Sequence, residues 1–144
     1  MFHRSHAASS ATPTSASTRR HPVRTAARLG LAGALAFTGA GHLSFAREGF
    51  AVAVPDWMPG SKDTTVLASG VVELALAAAL ASGIKRKQVG RATAAFFAAV
   101  FPGNVHQYLH HLDASFLNSD QRRLVRLYFQ PLLVAWALEA TRED

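Results

Sequence analysis

Apolar residues gather into long runs separated by short charged clusters, and this block pattern organises the chain more strongly than any strand-like alternation. Residues 29–46 contain no Asp, Glu, Lys or Arg. Residues 64–84 are interrupted only by Glu73, and residues 92–112 carry no formal charge, although their second half holds Asn104 and three histidines. Crossing the hydrocarbon of a bilayer takes about 20 mostly apolar residues in helical form. Those three segments qualify. A fourth, residues 124–138, has Arg126 near its start and is long enough only if it tilts or borrows flanking residues. The pattern predicts an all-α fold: a four-helix transmembrane bundle with helices at about 25–46, 64–84, 90–110 and 123–140.

Alanine, glycine and serine are frequent in these runs. Lipid gives no hydrophobic drive between helices, so close backbone approach replaces it. Stripes at a spacing of four, Ala32-Ala36-Ala40-Ser44, Ala75-Ala79-Gly83 and Ala95-Ala99-Gly103, are the predicted packing faces.

Composition divides the chain further. Residues 1–28 include five arginines and no acidic residue, set among Ser, Thr, Ala and Pro, a mixture that buries no core. Residues 1–24 are therefore read as a disordered basic cytoplasmic tail, held near anionic lipid, in preference to a cleaved targeting segment. The four-span membrane domain follows at 25–144. The formal net charge of +6 does not point to nucleic acid, because the basic residues flank apolar runs instead of gathering on one face. With no cysteine, thiolate metal sites and thiol redox chemistry by this chain are excluded. Ten Lys and Arg fall on the side of the two termini and five on the other, so both ends are expected in the cytoplasm and the protein in the cell membrane as a multi-pass protein. The first external loop, with Val54-Pro55 and Trp57-Met58-Pro59, is expected to lie at the membrane surface as a lid.

Glu73 carries most of the functional signal. An ionised side chain in mid-span costs about 2.5–3.5 kcal/mol even on lenient scales, so it must face the bundle interior. At a rise of ~1.5 Å per residue, His42, Ser69, Asn104 and Gln130 fall ~7–9 Å below the outer helix ends, with Glu73 ~13 Å down. Arg126 shares a face with Gln130 at i, i+4. These six residues, His42, Ser69, Glu73, Asn104, Arg126 and Gln130, form the predicted polar cluster, and depth favours His42 or Gln130 over Arg126 as the partner of Glu73. Pro102-Gly103 is expected to kink the third helix and free a carbonyl nearby. His106 and His110 have a chelating spacing, with His111 and Asp113 adjacent, but no distant segment offers a third ligand, so no metal is assigned. Neither a phosphate loop, a dinucleotide fingerprint nor a nucleophile elbow is present, and no stand-alone catalytic activity is expected.

The ordered motifs Gly39-x-x-His42, Val54-Pro55 with Pro59, Ser69-Gly70-x-x-Glu73, Phe101-Pro102-Gly103-Asn104, and Arg126-Leu127-x-x-Gln130 followed by Trp136 resemble the DoxX-like small membrane proteins of bacteria. The chain departs from that pattern at Gly103, where the family usually has Ala, and at Tyr128-Phe129, where it usually has Pro-Leu. The resemblance implies four spans and membership of a quinone-linked or oxidative-stress membrane complex. The expected role is an accessory or binding subunit with a polar cavity in the outer half of the bundle. A quinone headgroup is the candidate cofactor, with His42, Asn104, Arg126 and Gln130 as donors and Phe96, Phe97 and Phe101 as an apolar wall. The expected partners are the lipid bilayer, a membrane protein or a second copy of the chain. The alternative is a small proton-coupled transporter or channel centred on Glu73.

Overall fold

A computed structural model describes residues 21–143, and the predicted tail lies outside the described residues as far as residue 20. The fold is all-helical among the described residues. α1 spans Pro22–Leu43, α2 Arg47–Ala51, α3 Lys62–Ser82, α4 Arg86–Leu109 and α5 Asp120–Ala140. The only pairing outside helices among these residues is an isolated bridge between Ala114 and Leu117. α1 begins three residues before the expected boundary, because Pro22 at its first turn has no N–H to leave unpaired. α3 and α5 start where a serine caps them: Ser61 Oγ accepts from the Thr64 N–H, and Ser119 Oγ from that of Arg122. α2 is a short helix that the apolar pattern did not announce.

α1 packs chiefly on α3 and α4 on α5, and the two pairs meet through α1 against α5 and α3 against α4. The α1–α3 crossing is set by two glycines. A Cβ on Gly39 would lie 3.0 Å from the Gly70 carbonyl oxygen, and one on Gly70 would lie 2.8 Å from the His42 Cβ. The apolar core, Leu31, Leu35, Ala77, Leu80, Ala94, Phe97 and Ala137, fills one end of the bundle. There Arg28 donates to the Leu80 and Ala81 carbonyls at the C-terminus of α3, where a cation opposes the helix dipole.

The buried stripes are not the predicted ones. α1 buries Leu31, Ala32, Leu35, Gly39, Gly41 and His42 while Ala40 and Ser44 are exposed, and α3 buries Val66, Gly70, Glu73, Ala77 and Leu80 while Ala75 is exposed. On α4, Ala95 and Ala99 are exposed, and Gly90, Thr93, Ala94, Phe97, Asn104 and Gln107 turn inward. In runs this rich in alanine a spacing of four occurs on every face, so the bulky and polar side chains decide which face is buried.

One helix among the described residues, α3, is long and apolar enough to cross a membrane, by length and composition. Only 28% of its most apolar stretch is buried, so it is not the wrapped core helix of a larger domain. α4 and α5 are diluted by charge: Arg86, Lys87 and Arg91 open the first, and Arg122, Arg123 and Arg126 the second.

At the α4–α5 contact, a Cβ on Gly90 would fall 1.7 Å from Thr141 Oγ1 and 3.0 Å from the Ala137 carbonyl oxygen. Gly90→Ala is expected to destabilise the fold by about 1–3 kcal/mol through overpacking. Gly33→Ala, whose Cβ meets nothing within 4 Å, is expected to be neutral or stabilising by up to about 1 kcal/mol. Thermal melting of the two purified variants beside the parent checks both signs.

Candidate functional site

The antiparallel order brings the C-terminal ends of α1 and α4 and the N-terminal ends of α3 and α5 to the same end of the bundle, opposite the apolar core. All six predicted polar residues gather there. His42 Nδ1 and Glu73 Oε2 are 2.8 Å apart, and both side chains are buried. Asn104 Nδ2 donates to Gln130 Oε1 at 2.9 Å, and Gln130 Nε2 donates to the Phe97 carbonyl oxygen. Arg126 Nη1 donates to Gln107 Oε1 at 2.8 Å. Ser69 is turned back on its own helix and donates to the Val66 carbonyl oxygen. No buried side-chain nitrogen or oxygen among the described residues lacks a partner, as the cost of desolvation requires.

The Glu73 partner is thus His42, and Arg126 reaches a neutral amide instead. A carboxyl and an imidazole at this distance are joined by a hydrogen bond, whichever of the two carries the proton between them.

Two residues outside the prediction complete the cluster. Phe50, on α2, lies with its ring centroid 3.7 Å from that of His42 and 5.8 Å from the Arg126 guanidinium carbon. It separates the imidazole from the cation and offers its π face to the latter. Gln107 is fully buried on α4. Neither could be picked out beforehand, since Phe50 sits in a loop by pattern and Gln107 among histidines that read as interfacial.

A cavity of about 130 Å³ opens beside these groups. His42, Ser69, Asn104 and Arg126 supply its polar wall, and Phe50, Val54, Val66 and Val100 much of its apolar one. The segment after α2 covers it: Ala53, Val54 and Pro55 are buried, and Trp57 and Met58 line the mouth. Gly103 admits this cover, because a Cβ there would lie 2.9 Å from the Ala53 carbonyl oxygen. Beyond the mouth, a hydrogen bond from Lys62 holds the Asp56 carboxyl below the usual carboxylate range. The expected phenylalanine wall is displaced: Phe97 joins the apolar core, Phe96 packs against it, and Phe101 is exposed. The freed carbonyl also differs. Pro102 cannot donate to the Ala98 carbonyl, whereas the one that receives the Gln130 amide is its neighbour, that of Phe97.

The histidine group on α4 is tied up locally. His110 Nδ1 lies 2.9 Å from the His106 carbonyl oxygen, and His111 Nδ1 lies 2.7 Å from Asp120. Asp113 and Asp120 both pair with Arg123, which also donates to the Leu112 and Leu117 carbonyls and is buried. Among the described residues no group of three or more metal-ligating side chains is positioned to hold an ion.

A family described as a domain of unknown function (DUF8561) matches residues 31–141, more than three quarters of the chain. The chain belongs to the DUF8561 family. No curated protein and no solved structure matches it. The DUF8561 match begins at Leu31 and ends at Thr141, so it contains all five interior contacts of the polar cluster and the whole wall of the cavity.

Replacing Glu73 separates a hydrogen-bonding role from a filling role. Glu73→Gln retains an acceptor for His42 and is expected to melt within a few degrees of the parent. Glu73→Leu leaves a buried imidazole N–H unmatched, at a cost of about 1–3 kcal/mol. Melting curves of the two variants in the same detergent decide, and equal tolerance would place Glu73 outside the interior.

Proposed function

We propose that this DUF8561 chain is a four-span integral membrane protein of the cell membrane, with both termini cytoplasmic, that acts as a binding subunit. The observation that carries this reading is the inversion of polarity between inside and outside. Buried residues include His42, Glu73, Asn104, Gln107 and Gln130, whereas Phe37, Val71, Val125, Tyr128, Phe129 and Leu132 are all at least half exposed. A water-soluble domain places these groups the other way round. In lipid the outward apolar side chains cost nothing, and the inward polar ones satisfy each other. The order of motifs that resembles DoxX-like proteins, from His42 through Gln130, supports the same reading.

Within it, the cavity lies in the outer half of the bundle and holds a small ring-bearing headgroup. A dry cavity of about 150 Å³ takes a benzene-sized molecule, so about 130 Å³ suits a single ring. A quinone ring fits the donor set: Arg126 and Asn104 can donate to its carbonyl oxygens, and Phe50, Val66 and Val100 would lie against its faces, its tail leaving toward lipid. When bound it would supply redox chemistry that no side chain here offers. The protein's own contribution is to orient the ring, exclude water with the Ala53–Pro55 cover and keep a proton at the His42–Glu73 pair.

The alternative, a proton-coupled transporter or channel centred on Glu73, is favoured by the burial of that acid alone. Against it, the other end of the bundle is packed with the apolar Leu31, Leu35, Ala77, Leu80, Phe97 and Ala137. The partners in this proposal are the bilayer and a membrane protein or second copy that uses the bound group.

Reporters fused at the C-terminus and inserted beside Lys87 are both expected to read cytoplasm, and opposite signals would remove the four-span topology. Solvent extracts of the purified protein are expected to show quinone absorbance that Ala99→Phe, which fills the cavity, removes. Extracts free of quinone from membranes rich in it would overturn that assignment.

A further inference from the structure

Arg126 is the one cation lining the cavity, and its contacts do not include an acid. No carboxylate lies within ion-pair distance of it among the described residues, where Arg24, Arg47, Lys62, Arg123 and Arg142 each have one. It rests on the Gln107 amide oxygen and the Phe50 ring, both neutral. The other ionisable groups close to the cavity, His42 and Glu73, face each other from α1 and α3 at 2.8 Å, and Glu73 acts on Arg126 only through space. α4 contributes only Asn104 among polar side chains to the wall, and the cover after α2 contributes no charge to it. The cavity wall thus presents a guanidinium that no carboxylate contacts, beside Phe50, Val54, Val66 and Val100.

A guanidinium out of bulk water is most favourably matched by a planar, doubly oxygenated anion, to which it donates two parallel hydrogen bonds. From this we infer that the cavity's ligand class is a small monocarboxylate with a ring-sized apolar body. Its carboxylate sits on Arg126, and its body lies along Val54, Val66 and Val100. Asn104, one helical turn from the Gln107 that receives Arg126, also lines the cavity and can contact a second oxygen substituent. This inference rests on the binding-subunit reading above, but replaces a neutral headgroup by an acidic one. Two sources offer the chemistry. A free aromatic acid would enter past Trp57 and Met58, whereas a fatty acid would present its carboxylate from the bilayer and leave most of its chain outside so small a space.

The test uses the full chain in lipid nanodiscs and isothermal titration at neutral pH. Benzoate, its neutral isostere benzamide, tetramethyl-1,4-benzoquinone and decanoate are the probes. Benzoate is expected to bind about 10- to 100-fold more tightly than benzamide, the range of a charge-assisted hydrogen bond. Arg126→Gln should erase that preference, and Arg126→Lys should restore part of it. Tighter binding of decanoate than of benzoate, with the same dependence on Arg126, would assign the bilayer as the source. Equal binding of benzoate and benzamide to the parent protein overturns the acidic class, and needs no variant to fold. If the quinone alone binds, the acidic class fails while the binding-subunit reading stands. If none of the four probes binds, and Ala99→Phe changes nothing, both fail together.

Discussion

A carboxyl group on a helix that is otherwise apolar has to find a donor in the interior, and the contact between Glu73 and His42 is that solution. The rest of the arrangement follows from making this contact possible. An imidazole on α1 reaches a carboxylate on α3 only if the two backbones run close. The crossing at Gly39 and Gly70 provides that approach, with each glycine under the other's carbonyl. A side chain at either position would push the helices apart just where His42 projects. Close packing and polar pairing are thus one feature read at two scales, and neither would be stable alone.

The same logic extends across the bundle. Once α1 and α3 are fixed, α4 and α5 form a second pair with its own interior amide bond between Asn104 and Gln130. The Phe50 ring bridges the two pairs by lying between His42 and Arg126. α2 therefore has a purpose that its five residues would not suggest, since it carries the ring that packs against both the imidazole and the cation. Arg123 does comparable work outside the cavity by drawing the Leu112 and Leu117 carbonyls and two aspartates around one guanidinium. That network explains why arginines stand in the first two turns of α5: Arg123 orders the connecting loop, and Arg126 lines the cavity.

Much of this was legible because isolated polar residues in apolar runs are expensive and must meet. The level shared by His42, Ser69, Asn104 and Gln130 could be computed from helical rise alone, and so could the preference of Glu73 for His42 or Gln130 over Arg126. What stayed hidden depends on rotation about the helix axis and on irregular segments. Alanine stripes gave no rotation, so Ala40, Ala75 and Ala95 turned out exposed and the phenylalanines of α4 turned away from the cavity. Gln107 was masked by the histidines around it, and Phe50 by a loop whose short helix has no periodicity to detect. The membrane character is similarly uneven, because one helix meets the length and composition of a span, whereas α4 and α5 carry their charges at the ends.

Charge then decides what kind of binding site such a bundle makes. A polar cluster that served only to hold helices together would be closed off from any cavity. Here the cluster borders empty space, and the Arg126 guanidinium lines that space without a carboxylate in contact. Keeping a cation out of water without a counter-ion is costly unless something else completes it. The Phe50 face offsets part of that cost, and the Gln107 oxygen another part, but both are neutral. An anionic occupant of the proposed class would offset what remains of that cost.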